Sequence, residues 1–117
     1  MVVRILAVDD EPDILGALAD AWEQEELELV CAGSAEEALK VLGAAAFDVL
    51  LTDFKMPGGD GLDLIQQVTA QQPSVRCYLM TAFPDSALKD RAIRGGCKGF
   101  VPKPFDARLL LRKMRRD

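Results

Sequence analysis

Five times along 117 residues, a short apolar run gives way to a segment whose apolar residues recur at helical spacing. Apolar runs of this length, lacking polar alternation, read as strands covered on both faces. Strands joined each time through a helix argue for a parallel sheet with helices packed on both sides. The fold class is therefore α/β, a doubly wound (βα)5 three-layer sandwich. Val2–Val8 (broken only by Arg4), Leu27–Ala32, Phe47–Thr52, Val75–Met80 and Gly99–Val101 are the predicted strands. Pro12 sits where a first helical turn should begin, followed by Ile14, Leu15, Leu18 and Trp22. Ser34 with Glu37 fits a capping box ahead of Ala35, Ala38, Leu39 and Leu42. A third helix carries Leu64, Ile65 and Val68 and stops before Pro73. A weaker pattern over 85–94 ends at Gly95-Gly96, and a last helix follows Pro104 with Ala107, Leu110, Leu111 and Met114. No linker, repeat or low-complexity stretch intervenes, so residues 1–117 read as one domain.

In open sheets of this kind, sites form in the crevice beyond the carboxyl ends of the strands. The residues there are Asp9 and Asp10 after the first strand, Asp53 after the third, Thr81 after the fourth and Lys103 after the fifth. Taken singly, each has a plainer reading. Acids before a helix suit its dipole, Asp53 precedes a turn-rich loop, Thr81 can cap a strand, and lysine is ordinarily a surface residue. Together they set three carboxylates, a hydroxyl and an ammonium at one edge of one sheet. Clustered carboxylates repel unless a cation is present, and oxygen-only ligands suit a hard ion such as Mg²⁺. A divalent ion beside a carboxylate nucleophile also suits phosphoryl transfer.

Composition narrows the alternatives. Half the residues are hydrophobic and 28% are charged, a globular mix with no bilayer-length apolar run and no signal-peptide pattern, so a cytoplasmic address is expected and no membrane partner. The absence of histidine excludes His-based triads, His-ligated metals and a phosphohistidine on this chain. Cys31, Cys77 and Cys97 are too widely spaced for a zinc or redox pair and read as small core hydrophobes.

The whole chain resembles the receiver domain of two-component response regulators. The matching motifs are V-D-D-E (8–11), L-T-D-F-K-M-P-G-G-D-G (51–61), M-T-A (80–82) and G-F-V-P-K-P-F (99–105). The resemblance implies the flavodoxin-like strand order 2-1-3-4-5. It makes Asp53 the phosphoacceptor and Mg²⁺ the cofactor. Asp10 is the direct ligand, Asp9 holds the ion through water, and Asp53 and the backbone carbonyl of Lys55 complete the protein's share. Lys103 contacts the phosphoryl group, and the Lys103-Pro104 peptide is cis. Thr81 and Phe100 form a switch pair, although Phe100 offers no hydroxyl. The cationic side chain of Lys55 stands beside the acceptor. The phosphoryl donor is a sensor histidine kinase or a phosphotransfer protein. The domain is not a conventional multi-turnover enzyme but catalyses its own phosphorylation and dephosphorylation. One rival is a Mg²⁺-dependent phosphatase, whose Asp-x-Asp pattern differs from the adjacent Asp9-Asp10. Another is an interaction module that is never phosphorylated, whose usual mark is the loss of one of these residues.

Net charge is −5 but unevenly spread. Residues 1–86 carry four basic and sixteen acidic side chains, whereas residues 87–117 carry ten basic and three acidic. The basic residues fall on the last two helices: Lys89, Arg91, Arg94 and Lys98 near the fourth, Arg108, Arg112, Lys113, Arg115 and Arg116 on the fifth. Leu88 and Leu109 are read as apolar surface beyond the core stripe. This suggests a partner face made by the fourth helix, fifth strand and fifth helix, open to phosphorylation-dependent pairing of two copies. No aromatic platform or recognition motif points to nucleic acid. The weakly amphipathic fourth helix is expected to bury little and to be the mobile element.

Overall fold

The computed structural model describes residues 2–117. Five strands and five helices alternate strictly: β1 (Val3–Val8), α1 (Pro12–Ala21), β2 (Leu27–Ala32), α2 (Ala35–Ala44), β3 (Val49–Asp53), α3 (Gly61–Gln71), β4 (Arg76–Thr81), α4 (Ser86–Arg94), β5 (Cys97–Pro102) and α5 (Ala107–Arg116). The strands are all parallel and lie in the order β2-β1-β3-β4-β5. The expected doubly wound α/β architecture and its flavodoxin-like order are therefore present.

Strand periodicity sorts the core into two layers. On one side Leu6, Val8, Leu50, Cys77 and Leu79 meet α2, α3 and α4 through Ala38, Leu42, Leu62, Ile65, Val68, Leu88 and Ala92. On the other, Ile5, Ala7, Leu51, Tyr78 and Met80 meet α1 and α5 through Leu18, Trp22, Leu110, Leu111 and Met114. Trp22 is buried against α5 and donates its ring N–H to the carbonyl of Ala107 at 2.9 Å, fastening the two helices of that layer together.

The boundaries differ from the sequence reading where side chains intervene. β3 begins at Val49, not Phe47, and Asp48 closes the start of its pairing with β1. Its carboxylate accepts the Arg4 N–H at 2.8 Å, and its own N–H donates to the Arg4 carbonyl at 2.9 Å. β4 begins at Arg76 because the Val75 N–H turns back to the Gln72 carbonyl. β5 is longer than Gly99–Val101, since pairing with β4 runs from Cys97 to Pro102 across a register shift. That shift brings Gly99 under the Tyr78 ring, where a Cβ would lie 2.6 Å from a ring carbon. Ser34 caps α2, accepting from the Glu37 N–H at 3.1 Å; the Glu37 carboxylate reaches back to the N–H of Gly33, one residue before the cap. Asp60, Asp85 and Asp106 cap α3, α4 and α5 in the same way.

Two readings of the surface are corrected. Leu88 is not spare apolar surface: it is buried under α4 together with Ala92, so this helix is anchored at two points. The exposed apolar residues of this region are Ile93 and Leu109. Cys31 is not a core residue, because it faces outward on β2, the edge strand. Cys77 and Cys97 are buried, and burial pushes their thiols up to about 11 and about 12. A thiol reagent at neutral pH should therefore label Cys31 alone in the native protein and all three cysteines in denaturant. Intact mass after brief labelling checks this, and rapid native labelling of a second cysteine would contradict the packing of β4 on β5. No helix among the described residues is long and apolar enough to cross a membrane.

Candidate functional site: an acidic crevice at the carboxyl ends of the strands

The parallel register brings the ends of β1, β3, β4 and β5 to one edge, and their terminal side chains meet there. Asp9, Asp10 and Asp53 each present a carboxylate oxygen, all within 4.8 Å of one another. Asp9 is fully buried, Asp53 nearly so, and Asp10 is exposed. Lys103 reaches across from the β5–α5 connection. Its ammonium lies 2.9 Å from Asp9 Oδ2 and 3.0 Å from Asp53 Oδ1. Asp9 is held at both ends, since its other oxygen accepts the Glu11 N–H at 3.0 Å at the start of α1. The Lys103-Pro104 peptide is cis, and the Lys103 N–H donates to the Thr81 carbonyl at 2.7 Å.

The electrostatics follow from this crowding. Burial raises the Asp53 carboxyl above the ordinary carboxylate value, and the charge of Asp9 adds to the rise; the hydrogen bond from Lys103 opposes it. Burial alone would pull Lys103 down, but its hydrogen bonds to Asp9 and Asp53 outweigh that and hold it above the usual lysine value. Three carboxylates thus converge in the crevice around one lysine, whose ammonium is shared between two of them.

The phosphoacceptor candidate is positioned by backbone as well as charge. Gly61, the last residue of the 51–61 motif, is read from sequence as a turn residue, but it opens α3 directly against the Asp53 carbonyl. A Cβ there would collide with the Asp53 carbonyl oxygen and stand 3.0 Å from Thr52 Oγ1. Its N–H donates to the Phe54 carbonyl at 2.7 Å, tying the start of α3 to the residue after Asp53. A Gly61→Ala protein should lose on the order of 2 kcal/mol, because the obstruction is backbone and not the end of a flexible side chain. Chemical denaturation measures this; an unchanged midpoint would show that α3 can slide away from β3.

Beside Asp53 lies a cavity of about 360 Å³ lined by Phe54, Lys55, Thr81, Phe83, Leu88 and Arg91, among others. Thr81 is buried at its edge, and its hydroxyl oxygen accepts the Phe83 N–H at 3.1 Å. That leaves the hydroxyl hydrogen available to donate. Lys55 is exposed at the mouth. Phe100 is half-buried on β5 and packs against the α2–α3–α4 layer, so it is not gathered into the carboxylate cluster. Phe83, 80% exposed two residues beyond Thr81, was not singled out from sequence. A large apolar residue in a connecting loop carries no periodic signal that would have flagged it.

A doubly wound sheet that gathers three carboxylates, a lysine and a threonine at its carboxyl edge defines a class: an α/β domain with an acidic pocket suited to a hard cation and phosphoryl chemistry. The chain belongs to the response regulator receiver domain family, whose family model matches residues 5–115. It is 36% identical over 111 residues to the response regulator protein FleR of Pseudomonas aeruginosa, covering 95% of this chain and 24% of that protein. It is 32% identical to the C4-dicarboxylate transport transcriptional regulatory protein DctD of Rhizobium meliloti, covering 96% of this chain and 24% of that protein. The chain thus spans about a quarter of the length of these relatives. Among solved structures it resembles the response regulator TrrA of Thermotoga maritima in complex with Mg²⁺-BeF, with 30% identity, TM-score 0.87 and 98% of each chain covered. It also resembles the signal receiver domain of an HD domain-containing protein from Pseudomonas fluorescens, with 30% identity and TM-score 0.93 over 99% of this chain and 94% of that one. It is a receiver domain of the two-component response regulator kind.

Proposed function

We propose that this domain, residues 1–117 as a single receiver, takes a phosphoryl group onto Asp53 from a phosphohistidine of a sensor histidine kinase or a phosphotransfer protein. The observation that carries this reading is the bridging of Asp9 and Asp53 by Lys103 beside an open cavity. The three clustered carboxylates fit a hard divalent cation, since their oxygens already converge within 4.8 Å. Asp9, Asp10 and Asp53, with the backbone carbonyl of Lys55, would hold Mg²⁺. Bound there, it would offset the carboxylate charge and stabilise negative charge on the phosphoryl oxygens.

The chain's own residues supply the rest. An Asp53 carboxylate oxygen forms the new bond to phosphorus as the bond to the donor nitrogen breaks. Lys103, fixed by Asp9, presents its ammonium to a phosphoryl oxygen, and Thr81 donates its hydroxyl hydrogen to another. Water attacking the acyl phosphate in the same pocket returns the carboxylate, so the domain promotes its own phosphorylation and dephosphorylation. Movement of Thr81 toward the phosphoryl group, with Phe100 turning inward behind it, changes the face made by α4, β5 and α5. The domain acts in the cytoplasm through protein partners and contacts no nucleic acid itself. A second copy and a different protein are the two readers such a face can have.

Incubation with acetyl phosphate, with and without Mg²⁺, tests the chemistry by intact mass. A Mg²⁺-dependent gain of one base-labile phosphoryl group is expected. No gain under any condition would move the reading to an interaction module that is never phosphorylated.

A further inference from the structure

The two edges of the sheet are built differently. β5 guards its own edge: Lys98 is exposed on it, its register with β4 shifts between Cys77 and Tyr78, and Pro102 has no N–H to offer. β2 carries none of these devices. Its six residues run in unbroken register with β1, without proline or lysine, and its one charge, Glu28, is held by Arg4 at 2.7 Å. The direction of the backbone groups follows from that register. The Asp9 N–H donates to the Ala32 carbonyl at 3.1 Å, so Ala32 turns toward β1, and Val30 and Glu28 do the same by alternation. The N–H and C=O groups of Leu29 and Cys31 therefore point away from the sheet, on the side where β2 has no neighbouring strand. Side chains leave this edge open, since Leu27, Leu29 and Val30 are only half-buried and Cys31 is exposed.

The charge around this edge has one sign. Residues 5–39, which run from β1 through α1 and β2 into α2, contain eleven acidic side chains and no lysine or arginine. Cations from elsewhere in the chain reach four of them: Lys103 to Asp9, Arg115 to Glu25, Arg4 to Glu28 and Lys40 to Glu36. Asp20, Glu23 and Glu26, on the approach to β2, are exposed and in no ion pair among the described residues. Glu36 and Glu37 are exposed just beyond its end. A second copy is a poor occupant of such an edge. Two-fold pairing of β2 with itself is antiparallel, so it sets the acids before the strand in one copy against the acids after it in the other. Like charges placed this way oppose association, whereas a basic strand meets opposite charge at both ends of β2.

We propose that β2 is a docking edge for an extended basic segment of a different protein, which joins the sheet as an added strand through the outward backbone groups of Leu29 and Cys31. Lysine or arginine alternating with apolar residues is the pattern that fits: the cations meet the flanking acids, and the apolar side chains cover what Leu27, Leu29 and Val30 leave open. This docking does not depend on phosphoryl transfer, so the unmodified 117-residue chain is the material to test. The probe is a fluorescein-labelled peptide of alternating lysine and valine. Its control is the same sequence N-methylated along the backbone, which keeps the charge but cannot pair as a strand. Saturable binding of the probe is expected, weakening as salt rises. The methylated peptide should bind roughly tenfold more weakly, the worth of one or two lost hydrogen bonds. A Glu23→Lys, Glu26→Lys double variant should also lose about tenfold, and Cys31→Lys, which puts a cation on the edge itself, should lose as much. All three side chains are exposed, so circular dichroism should show the fold unchanged. Hydrogen exchange followed by NMR gives the location: the amides of Leu29 and Cys31 should gain protection when the peptide binds. Any of four outcomes overturns the proposal: no saturable binding, equal binding of the methylated peptide, amide shifts centred on Asp9, Asp10 and Asp53 instead of β2, or self-association of the chain alone that Cys31→Lys abolishes.

Discussion

Asp53→Asn should reduce phosphoryl uptake from acetyl phosphate by on the order of a thousandfold or more, to the background of the assay, while leaving the fold intact or slightly firmer. The two halves of this prediction have one cause. Asp53 is a nearly buried carboxylate whose protonation is favoured by burial and by the neighbouring charge of Asp9. A native carboxyl with a raised pKa binds its proton more readily than the unfolded chain does. Its contribution to stability therefore falls as pH rises through the interval above the ordinary carboxylate value. Asparagine has the same shape and no charge, so it removes that penalty along with the nucleophile. Lys103 keeps Asp9 as its partner at 2.9 Å, so no ammonium is stranded. Intact mass reads the loss of uptake, and urea denaturation at pH 7 reads the stability. Residual uptake near the wild-type level would mean that another carboxylate, such as the exposed Asp10, is the acceptor. A large loss of stability would mean that Asp53 serves chiefly to hold Lys103.

Much of this site was legible because parallel strands turn sequence position into place. Asp9, Asp53, Thr81 and Lys103 are far apart in the chain, yet each ends a strand or follows one, and the crossover rules put those ends together. The fold was legible for the same reason: continuous apolar runs and helical spacing each survive averaging over neighbours. What was not legible depended on contacts between elements. That Asp48 would be spent on Arg4 is invisible in a run that reads Phe-Asp-Val-Leu-Leu. That Gly61 is needed against the Asp53 carbonyl, and not only for a turn, requires knowing how closely α3 approaches β3. Leu88 and Leu109 look alike in sequence, but each belongs to its own helix, and the rotation of α4 buries the first while that of α5 exposes the second. Cys31 is exposed on β2, the strand that the expected order already placed at the sheet edge, but an apolar run does not show which of its residues are left uncovered there.

Lys103→Met is expected to be the most destabilising of the conservative changes in the crevice, and its cost should depend on pH and on Mg²⁺. Lys103 is largely buried, and it supplies the ammonium that bridges Asp9 and Asp53. Removing one member of a buried ion pair strands the other, at a cost of roughly 3–5 kcal/mol. The sign of the pH dependence can be followed group by group. In the wild type, the raised pKa of Lys103 contributes stability that is complete below the ordinary lysine value and is lost only as pH rises above it. The variant loses that contribution across the whole neutral range. Asp53 loses the hydrogen bond that opposed its upward shift, so its window of falling stability widens above the ordinary carboxylate value. The variant should therefore be closest to the wild type in mild acid and furthest from it near pH 8. A divalent cation in the carboxylate cluster offsets the same charge, so millimolar Mg²⁺ should raise the variant's Tm more than the wild type's. Urea midpoints at pH 5 and pH 8, with and without Mg²⁺, measure all of this. An equal loss at both pH values, indifferent to Mg²⁺, would assign Lys103 to packing and remove the charge-sharing basis for its role beside the phosphoryl group.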